Sequence, residues 1–259
     1  MLMSRLVHNA AQLKTVFDVL KDLVTDVNFV FKSDGLWINA MDPGKVVAVH
    51  LRIDQAAEYR HAVSDPIFIG VNVQNFYKMI RNANHTHTIK MEVESSTLNV
   101  LKLTISHLTK EIVALTSLYS LDLPKEEVTF PELSYEAVAI MPTIDFVRTI
   151  KDLSHGSNYI TISASEEAPR HLSFTTKGDA YLYTTSIAIC PSDGGLSWKS
   201  FGTPYVSGKH IIKYISKFAK SQTGKIIEIS MNGQGMLNLS YPDLPIGGFH
   251  MTIAPMSDN

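Results

Sequence analysis

Residues 141–155 read Met141-Pro142-Thr143-Ile144-Asp145-Phe146-Val147-Arg148-Thr149-Ile150-Lys151-Asp152-Leu153-Ser154-His155. Ile144, Phe146, Val147, Ile150 and Leu153 fall on one side of a helix over 143–155, with Thr143 as its N-cap and Asp145 at the positive end of its dipole. Arg148 and Lys151 are three apart and His155 is seven from Arg148, so the basic side chains share the opposite face. Three more windows are built alike. Residues 10–24 carry Leu13, Val16, Phe17, Leu20 and Leu23 opposite Lys14 and Lys21. Residues 73–83 carry Phe76, Met79 and Ile80 opposite Lys78 and Arg81. Residues 209–221 carry Ile211, Ile212, Ile215 and Phe218 opposite Lys213, Lys217 and Lys220.

The rest of the chain reads as short strands. Val47, Val49, Leu51 and Ile53 alternate with polar or small residues, as do Ile89, Met91 and Val93, and, after Ser95-Ser96, Leu101, Leu103 and Ile105. Asp34-Gly35 and Asn232-Gly233 are hairpin-type dipeptides between apolar runs. Lys14 and Arg148 lie 134 positions apart, and Lys78 and Lys213 lie 135 apart. Each half therefore repeats helix, strands, helix, strands, a duplication of architecture rather than of letters. The connector, residues 118–135, holds Pro124, Pro131 and an acidic cluster, which suits neither helix nor strand. Its Val128 and Phe130 are unexpected in a mere linker. The domains expected are 1–117 and 136–259, on either side of 118–135.

The 259 residues are 45% hydrophobic and 19% charged, which excludes disorder, and are long enough for a full core without disulfides or metals. The single cysteine, Cys190, cannot form an internal disulfide and reads as a small buried residue. No apolar run reaches the roughly 20 residues that span a bilayer, and the first nine residues lack a signal-peptide stretch. A net charge of −2 argues against nucleic acid until it is partitioned. The four helical windows, with Lys209 included, hold ten basic and four acidic residues, a net of +6, which leaves −8 on the rest. A lysine face on one amphipathic helix is ordinary. On four helices it points to a shared surface for a polyanion.

These residues resemble the eukaryotic-type DNA sliding clamp, the proliferating cell nuclear antigen family. Residues 141–155 are similar to its Met-Pro…Phe-x-Arg…Asp-Leu-Ser-His segment. Leu20-Lys21-Asp22-Leu23, Met41-Asp42, Gly70-Val71-Asn72-Val73, Leu121-Asp122 and Ile253-Ala254-Pro255 follow in family order. The resemblance implies an α+β fold, two similar domains of antiparallel sheet with two helices each, and a ring-forming homotrimer. It implies a DNA polymerase processivity factor that encircles duplex DNA without reading sequence. Its partners would be polymerase, clamp loader and other replication and repair proteins, and no catalysis, cofactor, metal or membrane is expected.

The DNA-facing residues carried over are Lys14, Lys21, Lys78, Arg81, Arg148, Lys151, His155, Lys213 and Lys220, with Lys217 an additional candidate. Thr15 departs from a family lysine. The pocket for a client peptide's hydrophobic plug would use Met41, Val46, Val128, Phe130, Pro131, Met236, Ile253, Ala254 and Pro255, while Thr252 and Ser257 replace bulkier family residues. Subunit contacts would pair two edge strands, Ile112, Val113, Ala114 and Leu115 on one, Ala180, Tyr181, Leu182 and Tyr183 on the other. Open edges this apolar need a partner.

Two alternatives stay open: an open monomeric or dimeric processivity factor holding DNA electrostatically, and a metal-dependent enzyme using His85 and His87 as a same-face pair on a strand. The resemblance implies a nuclear location, with a cytoplasmic viral replication site as the alternative if a virus encodes the chain.

Overall fold

The computed structural model describes residues 2–54, 58–126, 128–130, 133–167, 170–188, 194–220 and 224–256. Two compact units are resolved, the first comprising Met1–Pro43, Val49–Thr129 and Leu244–Phe249, the second Gly44–Ala48, Phe130–Asp243 and His250–Asn259. The division at Thr129/Phe130 falls inside the expected connector.

The first half of the chain runs β1 (Leu2–Asn9), α1 (Ala10–Leu23), β2 (Asp26–Lys32), β3 (Gly35–Met41), β4 (Val47–Ile53), β5 (Glu58–His61), β6 (Ile67–Asn72), α2 (Val73–Ile80), β7 (His87–Glu94), β8 (Val100–His107) and β9 (Val113–Tyr119). The second half runs β10 (Ala137–Pro142), α3 (Thr143–Leu153), β11 (Tyr159–Ser165), β12 (His171–Lys177), β13 (Leu182–Ala188), β14 (Ser197–Phe201), β15 (Tyr205–Ile211), α4 (Ile212–Ala219), β16 (Ile226–Met231), β17 (Leu237–Ser240) and β18 (Gly247–Ile253). The element order is the same in both. So is the sheet order: β5-β1-β7-β8-β9 and β6-β2-β3-β4 in the first, β14-β10-β16-β17-β18 and β15-β11-β12-β13 in the second. The expected duplication is thus present strand by strand.

In the first unit Phe17 of α1, Phe29 of β2 and Phe76 of α2 meet with ring centroids 4.5–5.6 Å apart, all fully buried. Burial of each such ring contributes about 1.5–3 kcal/mol and locks the helix pair to the sheet. The alternating Val47, Val49, Leu51 and Ile53 are all buried. In the second unit Phe146 of α3 meets Phe174 of β12 at 6.1 Å, and Phe218 of α4 stacks on Tyr241 at 4.8 Å.

Local expectations are corrected at several points. α3 is capped by Pro142, not Thr143. Proline's φ of −58° presets the entry, the Thr143 amide donates to the Lys225 carbonyl at 2.9 Å, and no side chain caps the helix. Ile144 points outward and is 56% exposed, so the apolar stripe is Phe146, Ile150 and Leu153. α4 starts at Ile212, because Lys209 and Ile211 pair with Thr161 and Tyr159 in the β15–β11 ladder. Asn9 and Asn72 cap α1 and α2, accepting from Ala11 and Gln12 and from Asn75. In the β16–β17 turn the positive φ belongs to Gly235, while the Asn232 side chain accepts from Gln234 and Met236. Cys190 lies outside the described residues.

His210 on β15 is fully buried with Nδ1 3.4 Å from the Ala254 carbonyl, and burial pushes its pKa down to about 4. His250 shifts in the same direction by burial, opposed by Glu228. A folded pKa below the unfolded 6.5 means the unfolded chain binds the extra proton. Stability is therefore present at neutral pH and lost as pH falls from about 6.5 towards 4. For His210 the loss is on the order of 3 kcal/mol. Thermal denaturation should show a clearly lower midpoint at pH 5 than at pH 7, and His210→Leu should flatten that dependence.

Candidate nucleic-acid interface and peptide groove

A helix that buries one stripe against a sheet presents the other, and α1 with α2, then α3 with α4, do this as packed pairs. Lys78 of α2 and Arg81 at its C-cap are exposed, as are Arg148, Lys151, Lys213 and Lys220 in the second unit. Arg81 and Lys220 sit where the helix dipole favours cations. Lys14 and Lys217 are half-exposed, and His155 is exposed in the turn after α3, whose C-cap is Ser154.

Lys21 differs. Its Nζ lies 2.9 Å from Asp18, 3.3 Å from Asp22 and 4.8 Å from the Tyr77 ring centroid. Burial opposes its charge, but the Asp18 hydrogen bond and both carboxylates outweigh it and raise its pKa, while that of Asp18 is lowered. Its charge is therefore offset at home. With Lys209 on a strand, the helices and their C-caps carry nine basic and four acidic residues, a net of +5 rather than +6.

The connector leaves β9 and folds back onto the first unit. The Leu121 amide donates to the Gly70 carbonyl at 2.8 Å, and the Gly70 amide donates to Ser120 Oγ at 2.9 Å. A Cβ on Gly70 would stand 2.3 Å from the Leu121 carbonyl oxygen, so only glycine permits this approach. Further along, Asn28 of β2 donates to the Pro124 carbonyl at 2.8 Å and Asn39 of β3 to the Val128 carbonyl at 3.0 Å. These anchors bound a cavity of about 320 Å³ lined by Trp37, Met41, Leu123, Pro124 and Val128 among others. The Lys32 ammonium and the Arg52 guanidinium stand over the Trp37 ring, 5.0 and 5.2 Å from its centroid.

Met41 and Val128, both expected in the groove, therefore share one cavity of the first unit, 45% and 38% exposed. In the second unit the Ala254 amide donates to the Val46 carbonyl at 2.9 Å, and Pro255 lies beside Gly235. Phe130, Met236, Ala254 and Pro255 are all half-buried there. Ile253 is a correction: it is fully buried on β18, its side chain part of the core and out of a ligand's reach. Pro131 lies outside the described residues. Sequence reading missed Asn28, Asn39 and Trp37. The available signal was asparagine on strands, which is disfavoured there unless its side chain has work to do.

Both expected subunit edges are edges. β9 closes one side of its sheet with Val113 and Leu115 56% and 77% exposed, and Ile112 just before it is 57% exposed. β13 closes another with Leu182 68% exposed and Tyr183 49%. Ala180 and Tyr181 precede β13, and the Tyr181 hydroxyl donates to the Gly156 carbonyl, which ties it to the end of α3.

His85 lies in the turn before β7 and only His87 is on the strand, so they are not a same-face pair. His87 instead faces His107 across β7–β8, edge to face at 5.0 Å, with Nδ1 2.9 Å from Asn84 Oδ1. Burial, then His87 and Lys110, lower the His107 pKa. Among the described residues no group of three or more His, Cys, Asp or Glu could hold a metal ion.

Twice-repeated antiparallel sheets, each unit carrying two helices with a basic outer face, define the DNA clamp class of fold. Family models for the N-terminal and C-terminal domains of proliferating cell nuclear antigen match residues 1–127 and 129–242. The chain belongs to the proliferating cell nuclear antigen family. It is 26% identical over 246 residues to a probable DNA polymerase sliding clamp of Paramecium bursaria Chlorella virus 1, covering 94% of this chain and 93% of that one. It is 30% identical over 179 residues to proliferating cell nuclear antigen of Chaetomium thermophilum, covering 69% and 67%. The crystal structure of the Entamoeba histolytica protein superposes with a TM-score of 0.85 over 99% of this chain and 100% of that one, and at 23% identity it speaks to the fold.

Each asparagine anchor contributes on the order of 1 kcal/mol. Replacing Asn28 and Asn39 by alanine together should raise the released fraction of the connector by about tenfold or more. Limited trypsin digestion reads this directly, as faster cleavage after the exposed Lys125 with little change in the thermal midpoint.

Proposed function

We propose that the protein is a DNA sliding clamp, a processivity factor that encircles duplex DNA as a homotrimer and tethers replication and repair enzymes. One observation carries the reading. The duplicated units each present exposed cations on their helix faces, and β9 and β13 each close a sheet with apolar side chains exposed.

A closed ring answers both features. Pairing β9 of one copy with β13 of the next satisfies backbone groups and covers Leu115 and Leu182. Exposed lysines attract phosphates without reading bases, and each contact is weak and salt-dependent, so the ring slides while topology retains it. The DNA-facing set is Lys14, Lys78, Arg81, Arg148, Lys151, His155, Lys213, Lys217 and Lys220, with Lys21 a lesser member because Asp18 and Asp22 already offset it.

Clients dock a hydrophobic plug against Met41, Val46, Val128, Phe130, Met236, Ala254 and Pro255, guided by the anchored connector. The clamp holds them near the template and raises their local concentration. Polymerase and clamp loader are the partners, and the nucleus is the location the family favours, a viral replication site being the alternative if the gene is viral.

Light scattering should give about three times the 28.8 kDa chain mass, and Leu115→Glu or Leu182→Glu should reduce it to that of one chain. A wild-type monomer at micromolar concentration would favour the open processivity factor instead. Reversing Lys78, Arg81 and Lys151 to glutamate should leave the trimer intact and lower processivity. The salt slope of DNA binding should fall by about one unit per contact removed, whereas Lys21→Ala should change it far less.

A further inference from the structure

The two helix pairs repeat each other position by position, which allows what lies between the helices to be compared. Ala10, Leu13, Val16, Phe17 and Leu20 are buried on α1, and at one constant offset Thr143, Phe146, Thr149, Ile150 and Leu153 are buried on α3. Val73, Phe76 and Ile80 of α2 likewise match Ile212, Ile215 and Ala219 of α4. On this alignment Asp18, Lys21, Tyr77 and Arg81 of the first unit have Lys151, Ser154, Ser216 and Lys220 as their counterparts in the second.

In the first unit Tyr77 bridges the two helices. Its ring centroid lies 4.8 Å from the Lys21 ammonium, and its hydroxyl donates to the Asp18 carboxylate, so one aromatic side chain of α2 reaches α1. In the second unit Ser216 stands at that position, and a slot of about 270 Å³ lies between α3 and α4. Val147, Ile150 and Ala219 give the slot apolar walls, and the exposed Lys151 and Lys220 border it. The Ser154 hydroxyl is committed to the Lys151 carbonyl at 2.8 Å. The Ser216 hydroxyl is buried and, among the described residues, has no hydrogen-bond partner. A buried hydroxyl left in that state costs free energy that an occupant of the slot would relieve.

We propose that this slot binds a single aromatic ring carrying an anionic group, seated where Tyr77 is seated in the first unit. The ring would pack on Val147, Ile150 and Ala219, as ligands do in small apolar pockets with few polar groups. The polarity of its substituent follows from the repeat. The Tyr77 phenol donates to a carboxylate, whereas the counterpart of that carboxylate is the Lys151 ammonium, itself a donor, so the substituent must accept. With Lys220 as a second cation on the rim, a phosphate or carboxylate is the group that fits. This is the chemistry of a free aromatic acid and of an unpaired nucleotide alike. The slot lies within the second unit and does not require the ring to close, although Lys151 and Lys220 also belong to the proposed DNA-facing set.

Saturation-transfer NMR with phenyl phosphate tests the proposal on the intact protein. Binding should weaken with added salt and fall about tenfold or more in Lys151→Gln, which keeps the stem and removes the charge. Ser216→Tyr, which restores the side chain of the first unit, should abolish binding without lowering the thermal midpoint. Should that variant unfold, Lys151→Gln decides. Inorganic phosphate and benzyl alcohol, each lacking one half of the ligand, should bind about tenfold or more weakly than phenyl phosphate. Tighter binding of a short oligothymidylate than of phenyl phosphate would support an unpaired nucleotide as the source, and the reverse a free aromatic acid. Unchanged affinity for phenyl phosphate in both variants, or equal binding of either half, would overturn the proposal. So would binding seen only after residues 221–223 are replaced by glycine, which would assign the slot to the chain's own loop.

Discussion

A helix laid on a sheet has one free face, and nearly everything else here follows from how these four helices spend theirs. The aromatic contacts Phe17–Phe29–Phe76 and Phe146–Phe174 fix which stripe is buried. Once those rings are in place, Lys78, Arg81, Arg148, Lys151, Lys213 and Lys220 have nowhere to go but outward. The exposed basic surface is thus a consequence of core packing, with no loop needed to build it. A surface fixed this way is presented by packed helices. That suits an unselective polyanion better than a sequence.

What was legible in the sequence follows the same physics. Period-two alternation at Val47–Ile53 and Ile89–Val93 and the helical stripes depend on neighbours in the chain, so they could be read directly. The duplication could be read too, because the basic helix positions keep their spacing even where the letters differ. Effects that depend on distant partners could not. Lys21 looks like its neighbours in sequence, yet Asp18, Asp22 and Tyr77 converge on it in space. Lys209 and Ile211 fit a helical period but were claimed by the ladder to β11, since tertiary pairing overrides local pattern. Ile253 belongs to a motif that implies a groove, but strand alternation turns it into the core. The resemblance supplied the candidate pocket. The anchors that position it, Asn28 and Asn39, came from the structure alone.

The connector shows how a segment without helix or strand can still be held in place. Its Leu121 and Val128 side chains stay exposed, and polar contacts at Gly70, Asn28 and Asn39 help to set its position. Each is individually worth about a kilocalorie. A segment held by several such contacts opens locally at far lower cost than the sheet beneath it. That leaves Val128 free to adjust to an incoming side chain while its carbonyl stays tethered to Asn39. Placement of the connector is decided by hydrogen bonds, which leaves affinity for the proposed plug to apolar contact.

Duplication also explains why the two units need not do the same job. The segment after β9 must run on to the second unit, so it crosses the first unit's outer face and occupies it. After β18 the Met256 amide pairs with the Lys209 carbonyl, the counterpart of Gly70. Equivalent faces therefore carry different side chains. On β2 and β3 asparagines are fitted to a covalently attached strand of mixed charge, and the cavity there includes Asp26 and Glu126 as well as Lys32. On β11 and β12 the same positions carry threonines beside Lys177 and Lys209. A covalently attached occupant arrives at high effective concentration and needs little electrostatic attraction, whereas a separate one does. The two asparagine amides of β2 and β3 are therefore the fitted contacts that hold the tethered connector.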